Sequence, residues 1–333
     1  MLTLIIIILC ASFILYALLG GADFGAGIIE TFVGKKSEET VSKAMAPVWE
    51  ANHVWLILAV VILFTAFPLI YSSLSLVLHI PLMIVLIGII FRGTAFTFRK
   101  YDVMQGNAHK YYSFLFKLSS FITPLFLGII LGAMILGRIT FSDRAGFAEK
   151  FISPWFNTFC LALGIFSASL FSYIAAIFLV GEAENETEKK KYSRLSKRSM
   201  VITVLMGITI FILAETENLH LTGAMLRSIA GMIMVLFATL ACLVIWNLLN
   251  KKTHNTNYLR IAVGVQVSAI IIAWFCIQFP IIIRVNSGEH LTLANTHAPS
   301  ATLKYLLIAL IAGLLLIVPA FIYLFKVFKV THD

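Results

Sequence analysis

The sequence is poor in charge, in cysteine and in polar stretches long enough to fold alone. Only 12% of its 333 residues are charged, against about 25% in a soluble domain. No soluble catalytic domain fits between its apolar runs. The four cysteines, Cys10, Cys160, Cys242 and Cys276, stand singly within those runs. None forms a CxxC or CxxCH pair, which excludes a zinc ribbon and c-type haem attachment, and they read as packing residues. There is no Walker-type glycine loop, so no nucleotide motor. Acidic residues are scarce, 16 against 25 Lys and Arg, for a net charge of +9. In a membrane protein that excess collects in cytoplasmic loops and does not call for nucleic acid.

What is present is apolar length. Hydrophobic residues make up 60% of the chain, and a span needs roughly 20 of them in a row. Nine spans are expected, near residues 3–32, 52–71, 74–97, 112–137, 155–181, 200–217, 228–250, 261–283 and 302–326. The stretch from Met1 to Leu19 lacks a basic leader and reads as a first span rather than a signal peptide. The expected class is an all-α integral membrane protein. It forms one polytopic domain over residues 1–333, with a first part at about 1–137 and a second at about 155–326.

Orientation follows from the basic residues. The loops after spans 1, 3, 5 and 7 and the tail after span 9 hold 17 Lys and Arg, and the opposite side holds 6. The N-terminus is therefore expected outside and the C-terminus in the cytoplasm. Arg92 lies within span 3 and belongs to neither count. Lys117, just inside span 4, can snorkel to the interface. The basic part of Glu182–Ser199 suits anionic lipid headgroups.

Charged groups inside spans are costly and mark function by default. At the end of span 1, Gly20-Gly21-Ala22-Asp23-Phe24-Gly25 places Asp23 between two glycines whose spacing allows another helix to approach closely. Glu30 is seven residues on, on nearly the same helix face and about 10 Å nearer the cytoplasm. Two carboxylates in such a line could relay protons. At the start of span 2, Ala46-Pro47-Val48-Trp49-Glu50-Ala51-Asn52-His53-Val54-Trp55 gathers Trp49, Glu50, Asn52 and His53 on one arc of about 160°, with Trp55 outside it. Closing span 3, Phe91-Arg92-Gly93 puts Arg92 two turns deeper than Arg99 and Lys100. Arg99 and Lys100 read as interfacial anchors. The depth of Arg92 suggests a partner, for which Asp23, Glu50 or an acidic group on a bound cofactor or subunit would serve; the alternative is a side chain that snorkels to the interface. The second half shows no matching cluster within its spans. Glu215, Glu217, His220, Glu289, His290 and His297 read as loop and interface residues, and no metal site is expected. His53 and His79, on different helices at different depths, do not read as a haem ligand pair.

These segments resemble a known family. A-D-F-G-A-G, A-P-V-W-E-A-N-H-V-W-L, F-R-G-T-A-F-T-F-R and S-F-I-T-P-L-F-L-G are similar to segments of the second subunit of cytochrome bd-type quinol oxidases, over residues of about 15–130. The resemblance implies nine helices in two four-helix bundles plus a peripheral one, in a bacterial inner membrane. It implies a haem-free subunit of a respiratory complex that oxidises quinol, reduces dioxygen to water and takes protons from the cytoplasm. Haem b, haem d and the quinol site would belong to a larger first subunit. A small single-span subunit, membrane lipids and a structural quinone are further partners it allows. Asp23, Glu50 and Glu30 would then lie on a proton route. Trp49, Asn52, His53, Trp55 and Arg92 would support the subunit contact or a haem propionate. Glu50 stands where some members have aspartate, and Gly20 where some members have an aspartate that is missing here. The alternative expectation is an ion-coupled permease, although transporter sites usually lie nearer the membrane midplane.

Overall fold

The computed structural model describes residues 1–33, 41, 49–101, 107–142, 144–183, 185–251, 256–286 and 288–330; side chains at 49–51, 100, 101, 107 and 324–330 lie outside the description. Twelve helices and a small hairpin are described. They are α1 (Leu2–Val33), α2 (Trp49–Ala66), α3 (Pro68–Val77), α4 (His79–Tyr101), α5 (Asn107–Leu136), α6 (Phe147–Phe151), α7 (Thr158–Glu182), α8 (Glu186–Thr216), α9 (Leu221–Arg227), α10 (Ile229–Asn250), α11 (Thr256–Gln278), β1 (Ile281–Ile283), β2 (Leu291–Thr292) and α12 (Ser300–Val330). Eight of them are long and apolar enough to cross a membrane, and counting the bent pair α2–α3 as one span raises this to nine.

The expected second span, 52–71, is not straight. The chain turns through 112° between α2 and α3. Pro68 opens α3, and Phe67 before it has φ −133° and ψ 59°. Proline lacks the N–H that would continue α2, and its ring drives the preceding residue out of the helical region. The third span accordingly starts at His79 rather than 74. The sixth is longer than expected. The basic stretch that reads as a loop forms the first turns of α8, where Asn185 caps the helix by accepting from the Glu188 N–H at 2.9 Å. Glu186 and Glu188 in the first turn suit the positive end of the helix dipole. At 31 residues, α8 is about 46 Å long and outreaches a bilayer core of about 30 Å. The eighth span ends at Gln278. Beyond it Pro280 cannot donate to a helix, and Ile281–Ile283 pairs antiparallel with Leu291–Thr292, a β element that the all-α expectation lacks.

The apolar core is stacked in two layers along the helices. One layer joins Ile5 and Leu9 of α1 to Ala66, Phe67, Ile70, Leu136, Phe159, Ala214, Ile283 and Leu303. The other joins Phe24, Ile29 and Val33 of α1 to Trp55, Ile177, Val180, Tyr192, Ile245 and Leu259. Each layer collects helix ends of one side, as chain reversal at every loop requires. Helix α1 runs through both.

Small residues let α1 run there. A Cβ on Gly25 would stand 1.9 Å from the Phe171 carbonyl oxygen of α7, and one on Gly21 2.9 Å from Ile174 Cδ1. The Gly21/Gly25 pair thus receives a neighbouring helix, as its spacing predicts. On the other flank a Cβ on Gly27 would meet Ser120 Oγ of α5 at 2.2 Å.

Candidate functional site

Two buried ion pairs join α1 to α4. Arg92 Nη2 donates to Asp23 Oδ1 at 2.5 Å and to the Asp23 carbonyl oxygen at 2.8 Å. Arg99 Nη1 donates to Glu30 Oε1 at 2.7 Å. Lys117 of α5 reaches the same Glu30 oxygen at 3.4 Å. Each arginine lies 69 positions after its carboxylate. The seven-residue step on α1 is therefore matched by a seven-residue step on α4, as two parallel helices in register require. Asp23 and Arg92 are each 1% exposed, Glu30 is fully buried and Arg99 is 7% exposed.

Aromatic rings complete the cage. Phe116 of α5 stands between the two arginines, with guanidinium carbons 5.1 Å (Arg92) and 4.3 Å (Arg99) from its centroid. Arg92 also lies over Phe24 at 4.7 Å. Ring faces attract cations more strongly where water is excluded, so the rings recover part of what it costs to bury the guanidinium groups.

From α2, Asn52 is fully buried, and the His53 ring meets Phe24 edge-on at 6.3 Å between centroids. Asn52 and His53 both lie within electrostatic reach of the Asp23 carboxylate. Trp55 points elsewhere, stacked on Phe321 of α12 at 5.8 Å, in keeping with its place outside the polar arc. Trp49 and Glu50 stand in the first turn of α2; their side chains lie outside the described residues.

Several atoms around Asp23 are buried without a hydrogen-bond partner among the described residues. They are Asp23 Oδ2, Arg92 Nε and Nη1, both amide atoms of Asn52, and His53 Nδ1. Orphaned polar atoms at this density are expensive in an apolar interior, and water molecules with several such partners satisfy them. The arrangement is a polar column. Its upper station is Asp23–Arg92 and its lower station is Glu30–Arg99–Lys117, about 10 Å apart along α1.

Of the partners the sequence offers Arg92, the structure places Asp23 against it, whereas Arg99 is not the interfacial anchor that the sequence suggests. Arg99 is instead buried and bonded to Glu30, because seven-residue register with Arg92 forces it inward. The same reasoning, applied to Arg99 and Lys117 together, would have found them. The second half also holds a buried polar group that was missed. Tyr173 Oη donates to Gln266 Oε1 at 2.6 Å, and Gln266 Nε2 donates to the Ala238 carbonyl at 3.3 Å. Being neutral, these side chains escape a search for charged residues within spans. At the other end of the helices, Glu217 pairs with Arg138 at 2.6 Å and Glu215 with His220 at 3.4 Å. Among the described residues no group of three or more His, Cys, Asp or Glu could hold a metal ion.

Comparison with known proteins gives one direction. The family model of cytochrome bd terminal oxidase subunit II matches residues 1–328. The cytochrome bd ubiquinol oxidase subunit 2 of Bacillus subtilis (strain 168) is 24% identical over 332 residues, covering 97% of this chain and 94% of that protein. The cytochrome bd-I ubiquinol oxidase subunit 2 of Escherichia coli (strain K12) is 26% identical over 181 residues, 52% of this chain and 47% of that protein. A chain in the structure of bd oxidase from Geobacillus thermodenitrificans shares the fold with a TM-score of 0.80 at 20% identity, covering 98% of each chain.

Proposed function

The chain belongs to the cytochrome bd terminal oxidase subunit II family, and from that premise we propose that it is the haem-free second subunit of a quinol:dioxygen oxidoreductase. It is a respiratory oxidase subunit of the bacterial inner membrane. The reading goes further in four respects. The chain crosses the membrane nine times, as two four-helix bundles and a peripheral helix, with its N-terminus outside. It binds a larger subunit that carries haem b and haem d. It admits protons from the cytoplasm toward that partner. It performs no redox chemistry of its own.

The observation that carries the proton reading is the column of buried carboxylates with unsatisfied polar neighbours. Glu30 is the entry, one step from the ends of α1 and α4 and beside the partly exposed Lys117. Protons then pass by water to Asp23, two turns deeper. Arg92 and Arg99 stand against the two carboxylates and offset their charge in the apolar interior. Glu50, in the first turn of α2, joins the route on the strength of the family resemblance, its side chain lying outside the described residues. Asn52 and His53 line the upper station. Trp49 is the α2 residue kept for the contact with the partner or a haem propionate, whereas Trp55 braces α2 against α12. Exposed Lys190, Arg194 and Arg198 recur on one face of α8, where lipid phosphates meet basic side chains. A structural quinone, a small accessory subunit and a choice among quinols remain compatible with this role.

Affinity purification from native membranes tests the assignment. A co-purifying larger chain with the red absorption of a chlorin is expected, with the haem remaining on that chain when the two are separated. A colourless chain, stable alone, would point to the permease reading instead.

A further inference from the structure

The polar column does not stop at Asp23. Tyr16 lies seven residues before it, so Tyr16, Asp23 and Glu30 fall on one line of α1. Tyr16 is 5% exposed, and its hydroxyl has no hydrogen-bond partner among the described residues. The ring lies across Gly20. A Cβ at Gly20 would stand 3.1 Å from Tyr16 Cε2, 3.3 Å from Cδ2 and 3.5 Å from Cζ. Long side chains on a helix normally lean toward its N-terminus. This ring instead lies over the following turn, in the space left by a residue with no side chain. Asp23 and Arg92 lie within electrostatic reach of the phenol. A buried hydroxyl without a partner is unfavourable. Where the requirement is only to fill space, phenylalanine serves, and the chain uses it 27 times.

We infer that the Tyr16 hydroxyl is a proton-carrying station of the column, one step beyond Asp23. The inference rests on the proton reading above and adds to it a residue and a direction. In the transfer, protonated Asp23 gives its proton to the phenol oxygen, directly or through one water. The phenol O–H bond breaks in the same event, and its proton passes to the oxygen of a water on the side away from Asp23. One O–H bond forms and one breaks at the phenol, which is neutral before and after. Asp23 is left as a carboxylate facing Arg92 and is reprotonated from the Glu30 side. Rotation of the O–H restores the starting geometry.

The test uses the purified oxidase complex carrying Tyr16→Phe, which keeps the ring over Gly20 and removes only the hydroxyl, beside Asp23→Asn. Fully reduced complex is mixed with oxygen, and proton uptake is followed with a pH dye while the haem spectrum follows oxygen reduction. Tyr16→Phe is expected to slow uptake about 10-fold or more, with normal haem content and a larger rate loss in heavy water than the unmodified complex shows. Uptake at the unmodified rate in Tyr16→Phe, with Asp23→Asn slowed, overturns the inference and leaves the proton reading standing. Unmodified rates in both overturn both. Loss of haem content in Tyr16→Phe assigns the hydroxyl a structural role and also overturns the inference. If Asp23→Asn does not assemble, Tyr16→Phe alone decides, in the same two directions.

Discussion

Removing one partner of the Asp23–Arg92 pair strands a charge that the surrounding rings cannot solvate. Such a loss costs about 3–5 kcal/mol, whereas replacing both partners by apolar groups of similar size is often neutral. Asp23→Leu and Arg92→Leu are each expected to lower the thermal stability of the complex sharply. The double variant should recover most of it, as read by thermal unfolding of the purified complex. Recovered stability without recovered proton uptake would separate the pair's structural part from its chemical part. A double variant less stable than both singles would show that the charges do more than neutralise each other. Tyr16 illustrates what was hard to read at this scale. Its seven-residue spacing to Asp23 is visible in the sequence, but a tyrosine in an apolar run looks like packing until its hydroxyl is seen buried without a partner.

The helices carry the register that makes the site. Gly25 sets how closely α7 approaches α1, and any Cβ there would overlap the Phe171 carbonyl. Gly25→Leu is therefore expected to prevent assembly, measured as loss of the complex from size-exclusion profiles. Gly264→Ala, on α11 with nothing within 4 Å of the added methyl, should be tolerated and gain up to about 1 kcal/mol. Normal assembly of Gly25→Leu would mean that α1 and α7 are not held at this distance. On α8, the exposed cations Lys190, Arg194 and Arg198 run into the exposed apolar residues Val201, Leu205, Ile208 and Ile212 along one face. Added anionic phospholipid should stabilise the complex against heat, and replacing the three cations by glutamine should remove most of that gain. An equal gain in the variant would place lipid binding elsewhere. Helix existence was legible throughout because apolar length is a strong signal. The α2–α3 bend and the start of α8 were not. A single proline and a capping asparagine decide them, and both are invisible to a sum over hydropathy.

At the scale of the whole molecule, the chemistry is uneven. The charged column lies among α1, α2, α4 and α5, while the neutral Tyr173–Gln266 link is the counterpart in the later helices. That asymmetry was legible from where Asp23, Glu30 and Arg92 fall in the sequence, and the pairing was legible in part from their spacing. The face that meets the partner subunit was not, since an apolar surface reads the same toward lipid and toward another helix. The direction of the column depends on topology. A fluorescent protein fused after Asp333 should fold and glow, as it does only on the cytoplasmic side, whereas one fused near Ser142 should stay dark. The reverse pattern would turn the proposed entry to the outside. The most direct test of the central claim is proton uptake by the complex in a single turnover with oxygen, with Asp23→Asn and Glu30→Gln combined. The account predicts uptake about 100-fold slower in a complex with unaltered haem content. Uptake at the unmodified rate in that assembled complex would contradict it.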